Sequence, residues 1–152
     1  MSSNTKPIGV AYEDQNIVGA DTVSATTVSG TDINGVDIYA SDELGYTAAA
    51  QGTVTQATSK STAVTLNTSA GRITMNNAAL AGNTAVSFTL TNSKISANDV
   101  IILNVSGGAT AEAYTTYVSS MTAGSASLTL RNLTAGSLSE AVIINYATIH
   151  CV

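Results

Sequence analysis

Charge is the scarcest commodity in this sequence. Only 10 % of its 152 residues are Asp, Glu, Lys or Arg, where a soluble domain usually carries about a quarter. Hydrophobic residues make up 44 %, which places the chain far from the low-hydrophobicity, high-charge composition of disordered proteins. Its surface must therefore be covered by Thr, Ser, Asn and Ala. Such a surface meets other proteins with few charges to strip of water. What charge there is lies unevenly. Glu13, Asp14, Asp21, Asp32, Asp37, Asp42 and Glu43 all precede Gly45, against one base, Lys6. The remainder nearly balances, with Lys60, Arg72, Lys94 and Arg131 against Asp99, Glu112 and Glu140. No basic track exists to displace the counterions of a nucleic acid, and an anionic membrane is disfavoured for the same reason.

Cysteine and histidine are almost absent. Cys151 is alone, so no intramolecular disulfide is possible. The single histidine, His150, is its neighbour, and no CxxC or second histidine completes a zinc set. Adjacent side chains on a strand point to opposite faces, which argues against a His150–Cys151 nucleophile–base pair. The start "MSSNTKPIGV" lacks the apolar run of a signal peptide. No stretch approaches the roughly 20 apolar residues of a membrane helix, so synthesis in the cytoplasm is expected.

Residues 1–51 lack a sustained period. Short β-prone pieces (Ile17-Val18, Thr26 to Val28, Val36 to Tyr39) are broken by Gly9, Gly19, Gly30, Gly35 and Gly45. The pattern predicts an extended N-terminal arm, with Asn34-Gly35 as a hairpin turn. Ordering such an arm costs about 1–2 kcal/mol per residue, so it needs a surface to lie on. Ile8, Val10, Tyr12, Ile17, Val36, Ile38, Tyr39 and Tyr46 are its candidate partner-interface residues.

From Gly52 the rhythm changes, and residues 52–152 predict an all-β domain. Strands are expected from Val54, over Ala63 to Leu66, over Arg72 to Met75, and over "AVSFTLTN", where Val86, Phe88 and Leu90 share a face. "DVIILNV", Asp99 to Val105, is apolar on both faces and reads as a central strand. "AYTTYVSSM", "ASLTLRN" and "EAVIINYATIH" follow. Seven or eight strands at this spacing indicate an antiparallel β-sandwich with jelly-roll or immunoglobulin-like connections. The period places Val86, Phe88, Leu90, Ile101, Leu103, Leu128, Leu130, Val142 and Ile144 in its core. "MNNAALAG", Met75 to Gly82, is the one candidate helical turn.

Chemical motifs are thin. "DINGVD" has Asp32, Asn34 and Asp37 but lacks the ligand spacing and closing Glu of a calcium loop. "SGGA", Ser106 to Ala109, lacks the Lys-Ser/Thr of a phosphate loop. "NTS", "NVS" and "NLT" at Asn67, Asn104 and Asn132 fit the glycosylation pattern but read as chance in a chain so rich in these residues. No catalytic residue, metal or cofactor is expected, and the chain reads as non-enzymatic.

The segment Gly52 to Val105, "GTVTQATSKSTAVTLNTSAGRITMNNAALAGNTAVSFTLTNSKISANDVIILNV", together with "LTLRNLTAGSLSEAVIINYATI", Leu128 to Ile149, resembles small virion proteins of tailed bacteriophages. It is similar to capsid decoration, or cement, proteins. The resemblance implies a chain that binds the major capsid protein on the outer surface of the head, and a homo-oligomer, a trimer ahead of a dimer. Related modules occur in tail fibres and receptor-binding proteins, which makes a receptor-binding module the alternative. A short chain with an arm and no shaft sequence favours the head.

Overall fold

The computed structural model describes residues 40–151. Eight strands follow a short 3-10 helix, Ala48–Ala50: β1 (Gln51–Thr55), β2 (Val64–Thr65), β3 (Ala70–Thr74), β4 (Ala85–Thr91), β5 (Val100–Gly107), β6 (Tyr114–Thr122), β7 (Ser125–Asn132) and β8 (Ile143–Ile149). They form two four-stranded sheets, β1-β3-β8-β5 and β2-β4-β7-β6, that pack face to face as a sandwich.

The expectation of purely antiparallel sheets is corrected. β1 runs parallel to β3, and β2 runs parallel to β4, while every other pair is antiparallel. The cause lies in the connections. The first five strands alternate between the sheets, and only β6 and β7 are consecutive neighbours within one sheet. β3 thus returns beside β1 in the same direction, and β4 beside β2. These parallel pairs depart from the antiparallel connections of jelly-roll and immunoglobulin-like sandwiches.

Alternation explains the core. In β4, Phe88 and Leu90 are buried while Ser87 and Thr89 face outward. Across the antiparallel pair, Val86, Phe88 and Leu90 stand opposite Leu130, Leu128 and Ala126 of β7. In the facing sheet, Ile73 of β3 pairs with Ile144 of β8, and both are fully buried. Of the nine core residues expected from the period, seven are buried, and Val86 and Leu103 pack half-buried against them. Gly71 is required by close approach: a Cβ there would lie 2.7 Å from the Tyr146 ring and 2.6 Å from Leu66.

Two buried asparagines end the central strands of the second sheet. Asn92 follows β4 and Asn132 closes β7, and both are fully inaccessible. Each uses its Oδ1 to accept the amide two residues on, from Lys94 and Thr134, both at 2.9 Å. Each spends its amide group on backbone carbonyls: Asn92 on Thr68, Asn132 on Leu80 and Gly136. The shared phrase Ser-x-Thr-Leu-x-Asn, at Ser87 to Asn92 and Ser127 to Asn132, thus codes one device twice.

Met75 to Gly82 forms no helical turn. Asn76 Oδ1 accepts the Ala78 amide at 2.8 Å, a local turn that competes with helix. The segment is instead zipped to the chain before β8, through Met75 to Val142 and a Leu80–Leu138 bridge. The central-strand reading of Asp99 to Val105 is also corrected: among the described residues, β5 is an edge strand.

Candidate functional site

Lys60 and Asp99, both buried, are turned largely onto the chain's own backbone. Lys60 sits in the loop after β1 and is 3 % exposed. Its Nζ donates to the carbonyls of Asn76 and Glu140. Gln56 completes the clamp, donating to the Lys60 and Thr62 carbonyls and accepting the Asn76 amide at 3.1 Å. Burial pushes the Lys60 ammonium below its usual range, and the Glu140 charge opposes that shift. The Glu140 carboxylate in turn accepts the Thr110 amide and hydroxyl at 3.0 and 2.7 Å. Its other oxygen and the Tyr114 hydroxyl are buried with no hydrogen-bond partner. Burial, helped by Glu140, pushes the Tyr114 phenol up to about 12.

Asp99 anchors the end of the chain. Its side chain is inaccessible, and its Oδ1 lies 2.8 Å from His150 Nδ1. The same oxygen accepts the Cys151 amide at 3.1 Å, while Oδ2 accepts Ser96 at 2.8 Å. Burial pushes the Asp99 carboxyl up, but the Ser96 and Cys151 amides and the bond and charge of His150 outweigh it, and the net shift is downward. A carboxyl with a folded pKa below its unfolded one contributes stability that is complete above the unfolded value. That contribution fades as pH falls through the folded value. Thermal melts from about pH 5 downward are therefore expected to show an acid loss of stability that is shallower in Asp99→Asn. An unchanged acid limb would contradict this anchoring role.

A third polar centre is the hydroxyl of Tyr146, a buried residue in the middle of β8. It donates toward the Thr68 and Leu66 carbonyls at 3.1 and 3.3 Å and takes an amide from Asn92 at 3.3 Å. All three centres hold loops in place. Among the described residues, no three of His, Cys, Asp and Glu come together as a metal-binding group. His150 and Cys151 do not form a pair: the imidazole turns to Asp99, and the exposed thiol lies 3.9 Å from the Ile149 carbonyl.

What remains is surface. A shallow hollow of about 480 Å³ crosses β1, β3 and β8, lined by Gly52, Ala70, Gly71, Arg72 and Asn145. More distinctive is the side of the sandwich where the edge strands β5 and β6 lie together. Neither "VIILNVSG" nor "YTTYVSSMT" contains a charged residue. Outward from β5 point Val100 and Ile102, 51 % and 53 % exposed, with Ile149 of β8 directly beside Val100 at 51 %. Tyr117 is exposed on β6. Natural edge strands are commonly guarded by charge, proline or shortness, and β5, at eight residues, has none of these. A bulge between Val105 and Gly107 interrupts its far end.

Of the arm residues named from sequence, Ile8, Val10, Tyr12, Ile17, Val36, Ile38 and Tyr39 lie outside the described residues. Tyr46 is described: it is 41 % exposed, and its hydroxyl donates to the Thr148 carbonyl of β8. Sequence reasoning missed Val100, Ile102 and Ile149 as surface residues, because an apolar strand was taken to be a central one. The family models, the curated proteins and the solved structures compared with the chain give no match.

Proposed function

We propose that this protein is a non-enzymatic structural protein of a phage particle, a decoration or cement protein bound to the outer surface of the head. The observation that carries this reading is the pair of uncharged strands β5 and β6, with Val100, Ile102 and Ile149 exposed on the outer face of the β5 sheet. A surface of that kind gives up little hydration on meeting another protein, and open strand edges add backbone hydrogen bonds to any extended partner. The clamps built on Lys60, Asp99 and Tyr146 support the same reading. Their buried polar groups hold loops in place. The virion resemblance of the sequence supplies the partner, the major capsid protein.

In this reading the N-terminal arm is the clasp. Its apolar residues, from Ile8 to Tyr39, fill pockets on the shell, and its acids lie at the rim, where charge steers and orients. The test is co-sedimentation of the purified protein with undecorated heads and, separately, with host cells. Saturable binding to heads, with a rise in the temperature at which they break, is expected. Binding to cells and not to heads would replace the proposal with the receptor-binding alternative.

A further inference from the structure

We propose that a hollow at the Asp99 end of the sandwich binds a carboxylate, held between Lys94 and His150. The hollow measures about 290 Å³ and is lined by Tyr46, Ser69, Lys94, Thr148 and His150. It shares no residue with the hollow across β1, β3 and β8. The inference is independent of the head-binding reading.

The fold contains its own control for these two cations. Ser87 to Asn104 and Ser127 to Asn145 are two versions of one strand–loop–strand unit. Each opens on Ser-x-Thr-Leu-x-Asn; one ends on Asp-Val-Ile-Ile-Leu-Asn and the other on Glu-Ala-Val-Ile-Ile-Asn. Equivalent residues meet across the sheets: Phe88 stands opposite Leu128, and Asn104 opposite Asn145. Their polar locks correspond as well. Asn92 accepts the Lys94 amide as Asn132 accepts the Thr134 amide. Asp99 accepts the Cys151 amide past β8 as Glu140 accepts the Thr110 amide past β5. The asparagine and the carboxylate thus serve the fold in both units. The cations belong to one unit's end only. Lys94 answers to Thr134, and His150, just before Cys151, answers to Ala109, just before Thr110. At the Glu140 end the Thr110 hydroxyl supplies the second donor that His150 supplies to Asp99. That end closes with no cation at either equivalent position, so the fold by itself does not require Lys94 and His150.

Both cations are held from behind. The buried Asn92 fixes the Lys94 backbone, and further bonds tie Asn92 to Gly124 and Gly124 to Ile95. Asp99 takes His150 through Nδ1 at 2.8 Å, which leaves Nε2 for a ligand. Asp99 itself does not compete for Lys94. Its side chain is inaccessible, and its oxygens accept from Ser96, His150 and Cys151. Among the described residues Lys94 makes no ion pair. Hydroxyls extend the donor set. Thr148 is 4 % exposed, and its hydroxyl has no partner within the protein, an orphan of the kind that a ligand or its ordered water resolves. Ser69 and Tyr46 bring two more, and the Tyr46 hydroxyl donates to the Thr148 carbonyl. Hydrogen bonds from ammonium and imidazolium to an oxyanion are the strong, charge-assisted kind. With His150 protonated, the Asp99 charge offsets one of the two cations. A singly charged carboxylate matches what is left; a doubly charged phosphate does not.

The test is an NMR titration of the full chain with acetate, chloride holding the ionic strength constant. Saturable shifts are expected at the Ser69, Lys94 and Cys151 amides. Lys94→Ala should weaken binding about fivefold, the upper range for a partly exposed ion pair, and His150→Gln should weaken it too. Both positions are exposed, so far-UV circular dichroism should stay unchanged in each variant. Acetyl-glutamate amide forms the second arm. Tighter binding than acetate assigns the site to an acidic side chain of a partner protein; equal or weaker binding assigns it to a free small carboxylate. Shifts that do not saturate, phosphate binding more tightly than acetate, or affinity unchanged in either variant would overturn the site.

Discussion

Phe88→Ala is expected to destabilise the sandwich by about 3–5 kcal/mol, the usual range for deleting a buried phenylalanine. Phe88 is the only phenylalanine in the chain and is 3 % exposed. It sits mid-strand in β4, opposite Leu128, with Leu90 and Val86 beside it on the same face. Both β4 and β7 are tied into the second sheet, so neither collapses easily into the space left by the ring. The loss is a large part of the roughly 5–15 kcal/mol that holds a domain together. Chemical denaturation with an unchanged slope and a lowered midpoint would register it. A change below about 1 kcal/mol would mean that Phe88 is not packed between the sheets.

Asn132→Ala is the second large effect, and it involves almost no apolar area. The carboxamide makes four hydrogen bonds: to the Leu80 and Gly136 carbonyls, and from the Thr134 amide and hydroxyl. Alanine leaves the Thr134 amide without its acceptor, while the Leu80 carbonyl keeps the Leu138 amide and the Gly136 carbonyl keeps the Thr134 hydroxyl; a buried group without a partner costs about 1–3 kcal/mol. A total loss of about 2 kcal/mol is expected, mostly from the orphaned Thr134 amide. Asn132→Asp should be no better, since it also lacks the amide donors and buries a charge. The 133–138 loop, held to Leu80 by this side chain and by the Leu80–Leu138 bridge, should exchange its amides faster. A loss near that of an ordinary surface substitution would contradict the clamp.

The two sheets were legible in sequence to different degrees, for physical reasons. β4 and β7 each bury one face, so period-2 alternation marked Phe88, Leu90, Leu128 and Leu130 as core. β5 was legible as a strand but not as an edge. Ile102 is apolar either because a layer covers it or because a partner does, and alternation does not distinguish the two. The parallel pairs were hidden because they rest on chain crossings between sheets, and β2 is only the two residues Val64–Thr65. Lys60 carried no sequence signal of burial, since its burial depends on carbonyls from two distant segments. The paired asparagines carried a visible signal, the repeated Ser-x-Thr-Leu-x-Asn phrase, which no strand or turn rule singles out. Tyr46 was assigned to an arm, and the structure places its hydroxyl on β8.

Amide hydrogen exchange on the full chain, free and bound to heads, tests most directly the claim that this fold exists to make protein contacts along its uncharged side and through its arm. The account predicts that binding slows exchange in β5 around Ile102 and in the residues preceding Ala40. The amides of β3 and β4, already inside the sheets, should change little. Unaltered exchange in both β5 and the arm, with protection appearing only elsewhere on the sandwich, would contradict it.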